Sequence, residues 1–354
     1  MSSKNSRISS NIKAISSYTV PQIECSVKLD GNESPYQPDN EFRGKIIDEL
    51  RNVKLNRYPD PNFNLIRSKL SEIYSFPEDG IILGNGSDEI IQMLITVFTG
   101  KSGIVLMPNP TFSMYKLSSL AQKKEVIESE LNDDFDINLD DFKNIIFEYD
   151  PDLIFLATPN NPTGNSFSKE KIAAILSSTD AIVVVDEAYF DYSKISYLQY
   201  TKEFDNLMIL RTMSKIGFAS LRLGMLFGNP DLVAELHKTR MPYNINSLTQ
   251  SIMSVVLENK TAIDEKINAV IKERKKLKVG LSKFPGFKVY PSDANFFLVR
   301  VDDADFLFNE LVKKDILIRN LNGSGVLKNC VRITVGSKLE NEKLLSALAS
   351  IFFD

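Results

Sequence analysis

Short apolar segments alternate with helical segments from residue 80 to about residue 230, and this alternation constrains the fold more than any other feature. Residues 81–83, 104–107 and 182–185 are typical of the apolar segments. They are apolar throughout rather than alternately apolar and polar, so the sheet they form is expected to be buried on both faces and mostly parallel. The segments between them carry apolar residues at helical spacing.

The chain of 354 residues is long enough for two domains, and its pattern changes near residue 250. Beyond that point two long helical segments are followed by short strands and a closing helix, which is an α+β layout. We therefore predict an N-terminal arm at 1–40 that packs with the small domain, a large domain at 41–249 and a small domain at 250–354. The arm is Ser-rich and contains prolines, so it is expected to be irregular.

Charge, cysteine and histidine content argue against several classes of function. The formal net charge is −4, and no Lys/Arg run is interleaved with aromatic residues, so no nucleic-acid partner is expected. No apolar run is long enough to cross a bilayer, and no secretory signal is evident, so the expected location is cytoplasmic. Cys25 and Cys330 are interpreted as reduced thiols. His237 is the only histidine, so neither a metal site nor a Ser-His-Asp mechanism is expected.

Four loops follow predicted strands, at the edge where open α/β sheets bind ligands. Residues 84–89 (GNGSDE) are typical of an anion site at a helix N-terminus and equally of a plain Ser N-cap. Residues 157–164 are typical of a turn. Asp186 directly follows four apolar residues, so it either caps a helix or needs a cationic partner. The fourth loop carries Lys215, which alone would more often be a solvated surface charge.

Together the four loops match the requirements of one cofactor. Pyridoxal 5'-phosphate needs an imine-forming lysine, a carboxylate against its ring nitrogen, donors to its ring oxygen and a cup for its phosphate. Asn161, Asp186 and Lys215 supply these groups in order, each after its own predicted strand. We therefore predict that the chain binds pyridoxal phosphate and that its chemistry depends on Lys215.

Several motifs resemble those of the fold-type I, class II aminotransferases, and most closely the histidinol-phosphate aminotransferase branch. The resemblance covers nearly the whole chain and rests on LDGNE at 29–33, RYPD at 57–60, GNGSDE at 84–89, TPNNPTG at 158–164, DEAY at 186–189, RTMSK at 211–215 with Arg222, ILIR at 316–319 and VRITVG at 331–336. It implies an α/β fold like that of aspartate aminotransferase. A large domain would have a mostly parallel central sheet covered by helices, and a smaller domain would be α+β.

The resemblance also implies which residues act on the cofactor ring. Lys215 would bind the cofactor aldehyde and later carry a proton between substrate and cofactor. Asp186 would pair with the ring nitrogen, and Asn161 and Tyr189 would donate to the ring oxygen. Phe112 would stack on the ring, where close relatives often carry Tyr; Phe keeps the stacking without the hydroxyl.

The cofactor phosphate has its own implied set of contacts. Ser87 and Asp88 would contribute backbone N–H groups, and Ser214 and Arg222 would contribute side chains. Tyr58 would reach the phosphate from the neighbouring subunit, so the resemblance implies a homodimer.

Substrate contacts are implied in all three predicted parts of the chain. Arg332 would form a bidentate pair with the substrate α-carboxylate, a geometry that suits a planar guanidinium. Arg319, Tyr243 and Tyr18 would contact the phosphate of the second substrate, and Asn32 is also expected to lie against the substrate.

The implied reaction is transamination between L-histidinol phosphate and 2-oxoglutarate, a step of histidine biosynthesis. The partners are therefore a small-molecule amino donor and a phosphorylated keto acceptor. An aromatic-amino-acid aminotransferase or a threonine-phosphate decarboxylase of the same fold would share the same lysine, acid and arginine. A cofactor-sensing regulatory module or a scaffold with a vestigial site are the alternatives from other classes.

Overall fold

The computed structural model describes residues 7–16 and 22–353, and the strands in this part of the chain form two sheets. The seven-stranded sheet consists of β2 (Ile81–Asn85), β3 (Ile104–Asn109), β4 (Glu125–Glu130), β5 (Leu153–Ala157), β6 (Ile182–Asp186), β7 (Leu207–Thr212) and β8 (Leu223–Phe227). The five-stranded sheet consists of β1 (Val27–Leu29), β9 (Lys288–Val289), β10 (Phe296–Arg300), β11 (Ile316–Asn320) and β12 (Cys330–Thr334).

Helices cover both sheets. In chain order they are α1 (Ser10–Ala14), α2 (Asn40–Leu50), α3 (Asn64–Tyr74), α4 (Ser87–Phe98), α5 (Ser113–Ala121), α6 (Leu139–Tyr149), α7 (Lys169–Leu176), α8 (Phe190–Ser193), α9 (Pro230–His237), α10 (Ser247–Glu258), α11 (Lys260–Leu281), α12 (Ala304–Lys313) and α13 (Lys338–Phe352). No helix in the described ranges is both long and apolar enough to span a bilayer.

The seven-stranded sheet has the order β2-β8-β7-β6-β5-β3-β4 and is parallel except for β8, which is antiparallel to both of its neighbours. Every residue of β5 and β7 is buried. Burial of each large aliphatic side chain contributes about 1.5–3 kcal/mol, which explains why β5 and the first four residues of β7 are apolar. The predicted α/β fold, with a mostly parallel sheet between helices, is confirmed.

Strand register aligns the ends of three neighbouring strands. Ala157 at the end of β5 lies opposite Asp186 at the end of β6, and Asp186 lies opposite Leu210 in β7. The loops that leave these strands therefore start side by side at one edge of the sheet, where open α/β sheets bind ligands.

The five-stranded sheet has the order β1-β11-β12-β10-β9 and joins the N-terminal region to the last part of the chain. β1 pairs in parallel with β11, so the expectation of an entirely irregular segment at 1–40 is wrong. The sequence did not predict this strand because it has only three residues and because Ile316, which pairs with Val27, is far away in the sequence. Two of its three residues are buried, so tertiary packing rather than local propensity stabilises it.

The N-terminal region contacts more than one part of the fold. β1 lies in the sheet of the C-terminal segment, whereas Asn11 Nδ2 donates to the carbonyl oxygens of Leu120 and Ala121 at the end of α5. The predicted domain limits at 40/41 and 249/250 stay a prediction.

Candidate active site

A cleft of about 570 Å³ opens at the edge of the seven-stranded sheet where β5, β6 and β7 end. Its lining includes every residue that was predicted to touch the cofactor from within one chain: Ser87, Asp88, Phe112, Asn161, Asp186, Tyr189, Ser214, Lys215 and Arg222. The structure thus collects in one place side chains that the sequence distributes over 136 positions, from 87 to 222 inclusive.

One end of the cleft has the features of an anion cup. Ser87 and Asp88 open α4, and the N-cap residue Gly86 makes no side-chain cap hydrogen bond, so first-turn N–H groups are available to a ligand. Arg222 Nη2 donates to Asp88 Oδ2 at 2.9 Å and Nη1 to Ser214 Oγ at 3.4 Å. The helix N-terminus and the guanidinium both favour negative charge here.

Two glycines allow the cup to be this narrow. Gly86 has φ of 79°, and a Cβ at this position would clash with the Arg222 guanidinium. A Cβ at Gly224 in β8 would lie 2.5 Å from Ser87 N. Strand β8 therefore packs directly against the N-terminus of α4. A side chain at Gly86 or Gly224 would displace the segment that leads into this helix.

Asp186 is the most deeply buried carboxylate of the cleft, with 4% of its surface exposed. Its Oδ2 accepts a hydrogen bond from the Tyr115 hydroxyl at 2.6 Å, and its Oδ1 accepts one from Ala188 N at 2.9 Å. Burial raises the pKa of Asp186 to about 6, although both hydrogen bonds lower it. Both donors are neutral, so a cation in the cleft would be held strongly by this carboxylate.

Lys215 lies in a 3-10 turn directly after β7 and is half-buried. Its backbone is fixed because the Tyr192 hydroxyl donates to the Lys215 carbonyl oxygen at 2.7 Å. Its side chain reaches into the cleft, where Nζ donates to Gly31 O at 3.3 Å and lies 5.9 Å from the centre of the Tyr189 ring. The amine therefore extends from a turn whose backbone is fixed. This turn follows β7, and β7 pairs with β6, the strand that ends with Asp186.

Tyr189 and Asn161 connect the cleft to the five-stranded sheet. Asn32 Nδ2 donates to the Tyr189 hydroxyl at 2.9 Å, and Thr334 Oγ1 donates to Asn32 Oδ1 at 3.2 Å. Arg332 Nη1 donates to Asn161 Oδ1 at 2.7 Å. Predicted cofactor and substrate residues are therefore in direct contact, even though the two pairs are separated by 157 and 171 positions in the sequence.

Arg332 and Arg319 lie directly opposite each other on β12 and β11. Directly opposed residues of antiparallel strands project on the same face of the sheet. Arg332 is half-buried, and its Nη2 donates to Asp30 O at 2.6 Å. Arg332 brings its positive charge to Asn161, which lines the cleft, and Arg319 projects on the same face of the sheet. Positive charge at this position favours an anionic substrate group.

Aromatic rings form one wall of the cleft. Phe112 lines the cleft and meets the Tyr115 ring edge-on, with centroids 5.5 Å apart. Tyr115 stacks on Phe155 of β5 at 4.5 Å with an interplanar angle of 2°. This stack gives the Tyr115 hydroxyl a fixed direction toward Asp186.

Of the predicted residues that the structure describes, those that do not line this cleft are Tyr58, Asn32, Tyr243, Arg319 and Arg332. Tyr58 is 80% exposed and stacks on Tyr243, with ring centroids 4.5 Å apart. Tyr18 lies outside the described residues. No group of three or more His, Cys, Asp or Glu side chains within residues 7–16 and 22–353 is placed to hold a metal ion.

A buried ion pair next to the cleft was missed by the sequence analysis. Arg211 Nε and Nη2 donate to Glu187 Oε2 at 2.9 and 2.7 Å, with side chains only 5% and 0% exposed. The Phe190 ring lies 3.9 Å from the guanidinium carbon, and Tyr197 N donates to Glu187 Oε1 at 2.6 Å. Because Glu187 follows Asp186 and Arg211 precedes the lysine turn, the pair fixes two strand ends relative to each other.

Tyr115 was the second residue missed. Its separation of three positions from Phe112 on the same helix could have suggested a shared face. The hydrogen bond to Asp186, 71 positions away, has no local signal.

Pyridoxal phosphate fits the groups that are present. The anion cup suits its phosphate, and the aromatic wall suits a flat ring. The buried carboxylate suits a protonated ring nitrogen, and Lys215 suits an aldehyde carbon. When bound, the cofactor would supply an electron sink for negative charge at the substrate α-carbon.

Comparison with known proteins agrees with this geometry. The family model described as aminotransferase class I and II matches residues 26–351. The chain is 41% identical over 341 residues to histidinol-phosphate aminotransferase 2 of Nitrosococcus oceani, which covers 95% of each protein.

Solved structures of aminotransferases superpose on nearly the whole chain. Histidinol-phosphate aminotransferase from Clostridium acetobutylicum has a TM-score of 0.83 and 27% identity, covering 92% of this chain and 98% of that one. The enzyme of the same name from Sinorhizobium meliloti, solved in complex with pyridoxal-5'-phosphate, has a TM-score of 0.89. At 19% identity with coverage of 98% of both chains, the latter shows the shared fold.

Replacement of Glu187 tests the role of the buried pair. Glu187→Gln would leave the Arg211 charge buried without its counter-ion, so the free energy of unfolding should fall by about 3–5 kcal/mol. Denaturant unfolding at fixed protein concentration measures the change. The control is Glu128→Gln, which breaks the more exposed pair with Lys116 and should cost less than about 1 kcal/mol. Equal losses in the two variants would contradict a stabilising role of the buried pair.

Proposed function

We propose, from the fact that this chain belongs to the class I and II aminotransferases, that it catalyses transamination between L-histidinol phosphate and 2-oxoglutarate with pyridoxal phosphate as cofactor. The products would be imidazole-acetol phosphate and glutamate, a step of histidine biosynthesis. A cytoplasmic location is the corresponding expectation. The identity of 41% across 95% of a histidinol-phosphate aminotransferase supports the choice of substrate.

The observation that carries the substrate assignment is the pairing of Arg319 with Arg332 on neighbouring strands. Both residues project on the same face of the sheet, and planar guanidinium groups bind carboxylate and phosphate groups through paired N–H donors. Arg332 would bind the α-carboxylate of glutamate with two parallel N–H donors, and Arg319 would help to bind the phosphate of the second substrate. One pocket would thus accept a carboxylate in one half-reaction and a phosphate in the other.

The residues of the cleft would divide the catalytic work between them. Asp186 would hold a protonated ring nitrogen through its buried carboxylate. Tyr189 already accepts a hydrogen bond from Asn32, so its own hydroxyl hydrogen would be available for donation into the cleft. Lys215 would act as general base at the substrate α-carbon, since its amine is presented on a fixed turn within the same cleft.

Tyr58 is the basis for proposing a homodimer. Its side chain is exposed and does not line the cleft of its own chain. We propose that it donates to the cofactor phosphate bound by a second copy, with Tyr243 stacked behind it. In that arrangement neither site would be complete in an isolated monomer.

A substrate panel tests the proposed function. Purified enzyme should give its highest kcat/KM with L-histidinol phosphate as amino donor and 2-oxoglutarate as acceptor. L-phenylalanine and L-threonine phosphate should be poorer, because neither combines an imidazole with a phosphate on the amino alcohol. A higher kcat/KM for L-phenylalanine, or release of carbon dioxide from L-threonine phosphate, would instead favour one of the two enzymes that share this fold.

The same panel on Arg332→Lys tests the anion pocket. Lysine keeps the charge but loses the bidentate geometry, so kcat/KM for both glutamate and histidinol phosphate should fall by about 10- to 100-fold. The matched control is Arg300→Lys on β10, whose guanidinium donates to the carbonyl oxygens of Lys328 and Val326 at the surface. Unchanged constants in Arg332→Lys would show that the substrate anion binds elsewhere.

Complementation between inactive variants tests the shared site. Tyr58→Ala and Lys215→Ala should each have little activity as pure dimers. Hybrid dimers made by mixing and refolding them in equal amounts contain one site with both defects and one intact site, so about a quarter of all sites should be functional. Absence of activity in the hybrids would mean that Tyr58 serves its own chain, and full activity of the pure Tyr58→Ala dimer would mean that Tyr58 is not required.

A further inference from the structure

We propose that Tyr115 is a positioning residue whose hydroxyl keeps the Asp186 carboxylate ionised and oriented toward the cofactor cleft. The inference rests on the proposed function, because it concerns how the same cleft holds pyridoxal phosphate. It adds a residue that carries no role in the motifs from which that function was derived. Tyr115 would not take part in any bond change and would act only through Asp186.

Hydrogen bonds hold both oxygens of the Asp186 carboxylate. The Tyr115 hydroxyl donates to Asp186 Oδ2 at 2.6 Å, within the short range typical of O–H···O⁻ bonds. The second oxygen, Oδ1, is held by Ala188 N at 2.9 Å. With one oxygen fixed by a hydroxyl and the other by the backbone, the carboxylate plane has a single favourable orientation.

The Tyr115 ring is buried among other aromatic rings, so its hydroxyl is held beside Asp186. Tyr115 is 0% exposed, and its ring is stacked on Phe155 and met edge-on by Phe112. Burial raises the pKa of Tyr115 well above its ordinary value, and the negative charge of Asp186 raises it further. The hydroxyl therefore stays protonated and remains a donor at every pH at which the enzyme is folded.

Burial and two neighbouring carboxylates disfavour the ionised form of Asp186. Asp186 is buried, and the carboxylates of Asp88 on α4 and of Glu187, which directly follows β6, both act to raise its pKa. Tyr189, Lys215 and Arg222 face the same cleft from the other elements. Burial raises the pKa of Asp186 to about 6, and the Tyr115 hydrogen bond is the largest of the effects that lower it.

The direction of the pH dependence of cofactor affinity follows from which protonation form of Asp186 binds the cofactor. Only ionised Asp186 can pair with a protonated ring nitrogen, so cofactor affinity is present above the pKa of Asp186 and is lost as the pH falls through it. Loss of the Tyr115 hydrogen bond raises that pKa. A hydrogen bond to a charged group is strong enough to move a pKa by about one unit.

The test is equilibrium dialysis of the full-length protein with pyridoxal phosphate between about pH 6 and pH 9. Tyr115→Phe keeps the ring and its stack on Phe155 but removes the hydroxyl. The ratio of its dissociation constant to that of the wild type should be close to one at about pH 8.5. It should rise to about fivefold at pH 6, because the fraction of ionised Asp186 falls earlier in the variant. Titration of the cofactor phosphate is common to both proteins and cancels in the ratio.

A matched control separates this effect from the loss of any buried hydroxyl. Tyr197 is 1% exposed, and its hydroxyl donates to Phe167 O at 2.6 Å, outside the cleft lining. Tyr197→Phe should give a ratio that does not change with pH. In an Asp186→Asn background, Tyr115→Phe should cause no additional pH-dependent loss, since the group through which it acts is gone.

A ratio for Tyr115→Phe that is flat over the whole pH range would overturn the proposal, because a purely structural role weakens binding equally at every pH. If Tyr115→Phe does not fold, Tyr115→Met carries the test, because it also lacks the hydroxyl and keeps a long, adaptable apolar side chain. Its loss of affinity should move to higher pH, and an unchanged pH dependence would contradict the proposal. Failure of the wild type to bind pyridoxal phosphate at all would refute the proposed function instead.

Discussion

A carboxylate buried at the end of a parallel strand is the constraint on which the rest of the site depends. Asp186 is 4% exposed, and its hydrogen bonds come from a tyrosine hydroxyl and a backbone amide, both neutral. An ionised group in that position is costly unless a cation reaches it. The protonated ring nitrogen of the family's cofactor is such a cation. The cofactor's position then determines where a lysine, a phosphate cup and an aromatic wall must lie.

The sheet brings these groups together because its central strands are parallel and in register. Each loop leaves at the same edge, so residues far apart in sequence become neighbours. The buried pair of Glu187 and Arg211 joins two of the strand ends, next to Asp186 and before the lysine turn. Asn32 and Arg332 extend the connection to the second sheet by hydrogen bonds to Tyr189 and Asn161. In the proposed function, these hydrogen bonds would couple substrate recognition to cofactor binding.

Much of this arrangement could be predicted from the sequence, because the signals are local. Apolar strands alternating with helices predicted the sheet, and the motifs around Asn161, Asp186 and Lys215 predicted which strand ends carry chemistry. The partners of those residues could not be predicted in the same way. The hydroxyl of Tyr115, the Glu187–Arg211 pair and the pairing of Val27 with Ile316 depend on contacts between distant segments. A single sequence contains no periodicity or spacing that records such contacts. The two clearest omissions, Tyr115 and Arg211, both act on residues that the motifs did identify.

The most direct test of the account is chemical labelling of the lysine. The holoenzyme is reduced with borohydride and digested, and the peptides are analysed by mass spectrometry. The account predicts that the pyridoxyl group is found on Lys215, and that Lys215→Ala binds the cofactor without retaining any label after reduction. A pyridoxyl group on a different lysine, or a wild-type protein that binds the cofactor but yields no labelled peptide, would contradict it.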